Sequence, residues 1–303
     1  MSRTPSRLRR AARAGGRYEM LLRFASGIIG IPLLIVLVFV REGIPFILGV
    51  GLISIIGLYE FYRGIRRTGA EPQEWVGLAS AFFFLFSARH QFREERFSLP
   101  GVLTLFVIVT LIIELLRKNR APIKNLGATF LGAVYVGWLF SYLVAINGIP
   151  AVAGLQRQID LGAIPLPDRI GGWLVLFVVF ATWAADTGAY LVGRKWGTHK
   201  LSPTLSPGKS WEGLLAGLGC SIVMSGLMGR AIGMPWIHII VLGVGIGVAG
   251  LIGDLAESSL KRDIGIKDFG SILPGHGGIL DRFDSLLFAA PFFYYYVTLV
   301  LGY

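Results

Sequence analysis

The chain carries a single cysteine in 303 residues, Cys220, set in an apolar run. One cysteine excludes an intramolecular disulfide and a Cys-based zinc cluster. Its surroundings suit a small packing residue in a membrane helix. Charge is scarce as well, 16% of residues against about 25% in soluble domains. Acidic side chains are the rarer sign, 18 against 29 basic ones. Three of the four histidines, His90, His199 and His238, show no metal-ligand spacing. There is no internal repeat and no low-complexity tract. What the chain has in excess is apolar residues, 54% of the total, gathered in long runs. That pattern belongs to an integral membrane protein and not to a large soluble core.

Apolar stretches long enough to cross about 30 Å of hydrocarbon predict an all-α, polytopic membrane protein with about nine transmembrane helices. They fall near 24–40, 45–62, 75–88, 99–116, 126–147, 171–193, 213–230, 236–253 and 285–303. The third is short enough to be tilted, broken or re-entrant. The first follows an Arg-rich head but lacks a small-residue cleavage site, so it reads as a retained helix. With these spans, 22 of the 29 Lys and Arg fall on the N-terminal side of the membrane. The positive-inside tendency then predicts a cytoplasmic N-terminus and an outside C-terminus. Three parts follow: a cytoplasmic head (1–23), an N-terminal membrane region (24–170) and a C-terminal region (171–303) with cytoplasmic loops 194–212 and 254–284.

The net charge of +11 is not organised for nucleic acid. Arg3, Arg7, Arg9, Arg10, Arg13, Arg17 and Arg23 stand directly before the first span. There they set topology and attract anionic lipid headgroups.

Chemistry concentrates near the C-terminus. Between Ser258 and Asp284 the chain brings together acids, bases, His276 and several glycines. Carboxylates suit a hard cation, Lys and Arg suit phosphate oxygens, and glycines permit close backbone approach. Asp254 and Glu257 are three apart and share a helix face if the eighth helix continues; Asp281 and Asp284 are spaced alike at the start of the ninth. Four carboxylates converging there would repel, and a hard ion such as Mg²⁺ resolves the repulsion. The alternative is a structural network in which the acids pair with Lys261, Arg262 or Arg282. A second polar region runs from Asp186, within an apolar helix and so expected to face a cavity or partner, to Glu212. Within it, Ser206-Pro207-Gly208-Lys209-Ser210 can cradle phosphate through backbone N–H groups, with Lys209 as counter-charge and the next helix dipole behind it; a capped turn is the plainer reading. It is not a Walker A loop. Glu60 and Glu114 read as helix-end or interhelical polar contacts, and His276 as a phosphate ligand, an orienting group or a turn cap.

The C-terminal segment Ser258-x-Leu260-Lys261-Arg262-x4-Lys267-Asp268-x-Gly270-x2-Leu273-Pro274-x-His276-Gly277-Gly278-Ile279-x-Asp281-Arg282-Phe283-Asp284 resembles, without a gap, the signature of the phosphatidate cytidylyltransferase (CDP-diacylglycerol synthase) family. The stretch from Asp186 to Glu212 resembles the family's second common block, with Thr198 and Gly208 departing from the lysine found in relatives. Before Asp186 only the hydrophobic layout matches.

The resemblance implies that CTP and phosphatidate give CDP-diacylglycerol and pyrophosphate, with Mg²⁺ as cofactor and room for a monovalent cation such as K⁺. It implies an active site open to the cytoplasmic leaflet of the cell membrane, and a homodimer. Metal ligation is expected of Asp254, Asp281 and Glu257. Catalytic roles are expected of Asp284, Lys261, Arg262, His276 and Arg282. Substrate contacts are expected of Lys209, Ser210, Ser258, Lys267 and Asp186. A CTP-dependent polyprenol kinase is the nearest alternative. A transporter is disfavoured, because the charges gather at one membrane face and no paired broken helices repeat between halves.

Overall fold

The computed structural model describes residues 30–90, 99–118, 121–150, 170–270 and 277–302. Contacts divide the chain into two units, 1–46 and 47–303. Helix α1 (Gly30–Phe39) lies in the first. The described helices that follow are α2 (Ile44–Ile65), α3 (Glu74–His90), α4 (Leu99–Leu116), α5 (Pro122–Asn147) and α6 (Gly171–Trp196). A two-stranded antiparallel hairpin comes next, β1 (Lys200–Ser202) with β2 (Ser206–Ser210). Helices α7 (Trp211–Ala231), α8 (Trp236–Ile264) and α9 (Leu280–Val300) complete the chain.

The architecture is all-α and polytopic, as expected, but the count of nine spans is not reproduced. Among the described residues, seven helices are long and apolar enough to cross a membrane: α2 and α4 to α9. Helix α3 has 17 residues and devotes part of its length to buried Gly77, Ser80 and Ser87. The first expected span begins outside the described residues, and α1 is a shorter apolar helix. Exposed Leu48, Leu52, Ile112, Leu115, Val223 and Leu227 give these helices faces suited to hydrocarbon.

Helix ends follow local chemistry. Pro122 opens α5 at a position where a missing N–H costs nothing. Ser210 closes β2 and caps α7, its Oγ accepting the Gly213 N–H at 3.1 Å. Helix α8 runs to Ile264, eleven residues past its expected end at 253, and stops at Gly265, whose φ of 77° lets the chain reverse. Helix α9 starts at Leu280, five residues before its expected start. Polar residues were the reason for both misplaced boundaries: they ended the apolar run without ending the helix.

Two features hold the elements in place. At one end of the second unit, buried Glu114 accepts hydrogen bonds from Gln73 Nε2 at 3.0 Å and Asn125 Nδ2 at 2.8 Å. Gln73 N also donates to Thr129 Oγ1, and Tyr62 Oη to the Thr129 carbonyl. Glu114 is thus an interhelical contact joining α4, α5 and the α2–α3 connection. Toward the C-terminus, α6 and α7 approach through Ala185, Ala189, Gly213 and Gly217, the small-residue packing expected where apolar burial gives helices no preference for each other over lipid.

Candidate functional site

Helices α8 and α9 meet so closely that a side chain at Gly253 would overlap the Asp284 carbonyl oxygen. That approach sets Asp254 beside Asp284, whose carboxyl feels the Asp254 charge. Asp186 from α6 joins them: its Oδ1 accepts the Ser285 Oγ hydrogen at 3.2 Å, and it lies in the fields of Asp254 and Lys209. Lys209, at the end of β2, places its ammonium 2.7 Å from Asp254 Oδ2, without the directionality of a hydrogen bond. Ser258 Oγ donates to the other oxygen, Asp254 Oδ1, at 3.3 Å. Asp284 Oδ1 accepts the Ser285 N–H at 2.7 Å. Asp186 and Asp284 each keep one carboxylate oxygen with no partner among the described residues. The result is a cluster of three partly open carboxylates with one ammonium at its edge.

Farther along the same face of α8 lies a closed network. Lys261 donates to Glu257 one turn back and to Asp281 Oδ1 at 2.9 Å. The three side chains are 11%, 0% and 6% exposed respectively. Asp281 Oδ2 also accepts the backbone N–H groups of Gly278 at 2.8 Å and Phe269 at 3.1 Å. Asp281 therefore ties the connection before α9 to α8. Glu257 Oε1 is buried without a partner among the described residues. Glu257 and Asp281, expected among the ligands of a cation, are thus bound to Lys261, and Lys261 is enclosed by them.

The remaining expected residues are spread around this core. Arg262 donates to the Leu205 and Ile266 carbonyls at 3.4 and 3.2 Å, fastening the hairpin to the end of α8. Lys267 and Arg282 are exposed. Ser210 is buried as the α7 cap. The 206–210 segment is a strand paired with β1, and that pairing engages backbone groups assigned above to a phosphate cradle. His276 lies outside the described residues. Of the other histidines, His199 binds half-buried Glu212 at 2.6 Å and His238 binds Tyr296 Oη at 2.8 Å; neither bonds to the carboxylate cluster.

Two contributors come from the N-terminal half. Tyr135 sits on a π-helical turn of α5 (Ala133–Trp138). Its buried hydroxyl has no partner among the described residues, and the charges of Glu257, Asp284, Asp254 and Asp281 act on it. Glu60 of α2, 2% exposed, accepts the Leu280 N–H at 3.1 Å. No motif marks Tyr135. Glu60 was visible only as an acid inside an apolar helix.

Of six carboxylates in this region, Glu257 and Asp281 are taken by Lys261 and Glu60 by the Leu280 N–H, which leaves Asp186, Asp254 and Asp284 with Lys209 beside them. Oxygen donors of this kind suit a hard divalent cation better than a soft one. Among the described residues, no group of three or more acids, histidines or cysteines is arranged to hold a metal ion by itself. Mg²⁺ is ordinarily held by one or two carboxylates, with water and substrate phosphates supplying the rest.

Comparison with known proteins gives a consistent picture. The family model described as "Cytidylyltransferase family" matches residues 21–300. The phosphatidate cytidylyltransferase of Bacillus subtilis is 30% identical over 284 residues, covering 93% of this chain and 98% of that protein. The phosphatidate cytidylyltransferase of Synechocystis sp. is 36% identical over 291 residues, covering 92% and 97%. That of Haemophilus influenzae is 43% identical over 159 residues, covering 50% and 55%.

Proposed function

The chain belongs to the cytidylyltransferase family, and from that premise we propose that it makes CDP-diacylglycerol and pyrophosphate from CTP and phosphatidate. A phosphate oxygen of phosphatidate attacks the α-phosphorus of CTP. A new P–O bond forms, the bond between the α-phosphorus and its bridging oxygen breaks, and pyrophosphate carries away the electron pair. Catalysis of this kind is mostly positioning and charge neutralisation.

The observation that carries the reading is the meeting of Asp254 and Asp284 with Asp186 and with Lys209 from the other polar loop. Asp254 and Asp284, with Asp186 beside them, would hold Mg²⁺. When bound, the ion neutralises phosphate charge and polarises a phosphoryl oxygen. A divalent ion would neutralise the three carboxylates and Lys209 taken together, so a monovalent cation such as K⁺ rests on the family resemblance alone. Lys209 exchanges part of its contact with Asp254 for a nucleotide phosphate. Arg262, Lys267 and Arg282 neutralise the nucleotide and lipid phosphates from the exposed side. Ser258 orients Asp254, and Ser210 fixes Lys209 by holding β2 against α7. The Glu257–Lys261–Asp281 network keeps α8 and α9 in register beneath these groups. The acyl chains stay in the bilayer at the cytoplasmic leaflet of the cell membrane, an orientation supported by the distribution of Lys and Arg. A homodimer completes the reading, and its test is the mass of the detergent-solubilised protein.

The reaction is tested with purified protein, phosphatidate, Mg²⁺ and CTP labelled separately at the α- and γ-phosphates. The α-label is expected in the lipid product and the γ-label in pyrophosphate. Transfer of γ-label to a lipid alcohol would identify a kinase instead.

A further inference from the structure

The last helix begins without a cap of its own. Ile279, the residue before its first turn, makes no side-chain capping bond. The only acid in that turn, Asp281, is turned toward Lys261, Phe269 N and Gly278 N. The N–H groups that open a helix nevertheless need acceptors where water is excluded. Glu60 supplies one from α2, 220 positions away in the chain: its Oε2 accepts the Leu280 N–H at 3.1 Å, while its Oε1 is buried without a hydrogen-bond partner among the described residues. The fit around it is close. A Cβ at Gly278 would stand 2.7 Å from Glu60 Oε2, and a Cβ at Gly270 would overlap Oε1. The backbone on both sides of the 271–276 segment is therefore built against this carboxylate.

The charge of Asp281 acts on Glu60, so two acids are held near each other at an electrostatic cost. A structure that needed only a filled cavity would have used an apolar side chain there. An acceptor aimed at the start of α9 is what the acid provides.

We propose that Glu60 is a positioning residue for the active site: it caps α9 from α2 and so sets the direction of the turn that carries Asp281 and Asp284. It touches neither substrate nor metal. It acts through Leu280, and the carboxylates one and four residues on, Asp281 and Asp284, follow the helix it starts. The proposal depends on the reaction given above only for its kinetic arm; the structural arm stands without it.

The first test is hydrogen–deuterium exchange of the detergent-solubilised full chain, comparing wild type with Glu60→Ala and Glu60→Gln. Glutamine keeps an acceptor oxygen but not the charge. Exchange at the start of α9 is expected to speed up by about tenfold in Glu60→Ala, the scale of a lost cap, with Glu60→Gln close to wild type and helices α6 and α7 unchanged. In the kinetic arm, Glu60→Ala lowers kcat by about tenfold or more, as a displaced catalytic group does, while KM for CTP changes less than about threefold. Glu60→Gln restores most of kcat. Gly270→Ala, which displaces the carboxylate without removing it, is expected to reproduce Glu60→Ala in both arms. Unchanged exchange at α9 in Glu60→Ala and in Gly270→Ala would overturn the proposal, as would a Glu60→Gln protein as impaired as Glu60→Ala. Faster exchange at α9 with normal kcat would keep the cap but overturn its role in positioning.

Discussion

Replacing Lys261 with methionine removes the cation from a buried group of two acids while keeping the length and apolar stem of the side chain. Glu257 is fully buried, and Lys261 is its one partner among the described residues. Asp281 is better protected, because the Phe269 and Gly278 N–H groups still bond to it. The loss therefore falls mainly on Glu257. Breaking a buried pair from one side costs about 3–5 kcal/mol, because the remaining charge is left without compensation. At about 2–4 °C per kcal/mol for a chain of this order of size, Tm should fall by roughly 6–20 °C. Thermal unfolding in detergent, followed by tryptophan emission, measures it. The double variant Lys261→Met/Glu257→Gln removes both charges of the pair and should regain at least about half of the loss, the coupling expected of contacting residues. A single variant within about 2 °C of wild type, or a double variant no more stable than the single, would refute the assignment of Lys261 as the buried counter-ion, since a paired buried charge cannot be removed at so little cost.

Three further outcomes follow from the same geometry. Asp254→Asn and Asp284→Asn should each lower kcat by about a hundredfold or more with little change in Tm, because both side chains belong to the open cluster; steady-state kinetics beside melting curves checks this. Lys209→Met should raise KM for CTP by about tenfold, the scale of one lost charge-assisted phosphate contact, and the ratio to wild type should shrink as salt is raised. Gly253→Ala forces a methyl group against the Asp284 carbonyl and should destabilise the α8–α9 contact by about 1–3 kcal/mol, visible as a lower Tm.

Much of this arrangement was legible in the sequence. Apolar runs located the helices, since crossing hydrocarbon requires long apolar segments. The three-residue spacings of Asp254 with Glu257 and of Asp281 with Asp284 marked the faces that meet, because helix α8 does continue past 253 and α9 does begin before Asp281. The four-residue spacing of Glu257 and Lys261 was equally readable as a helical ion pair, and a structural network was one of the two readings left open. What the sequence did not disclose is which acids the lysines would claim. That depends on how α8 packs against α9 and on backbone N–H groups at Phe269 and Gly278. The hairpin was hidden because Pro207 and Gly208, which lie inside β2, are residues that strands ordinarily disfavour. Glu60 was readable only as a helix-end or interhelical contact and Tyr135 not at all, because the groups near them are far away in the chain and neither belongs to a local pattern. The count of nine spans goes unconfirmed where apolar length was the only guide, as in α3, which uses small and polar residues for interior packing.

The carboxylate cluster itself is tested most directly by titrating Mn²⁺, as a paramagnetic stand-in for Mg²⁺, into purified protein with CTP and following the bound ion by electron paramagnetic resonance. Bound Mn²⁺ should be present in wild type and Glu257→Gln and lost in Asp254→Asn and Asp284→Asn. Loss in Glu257→Gln with retention in both aspartate variants would place the ion in the Lys261 network and contradict the site described above.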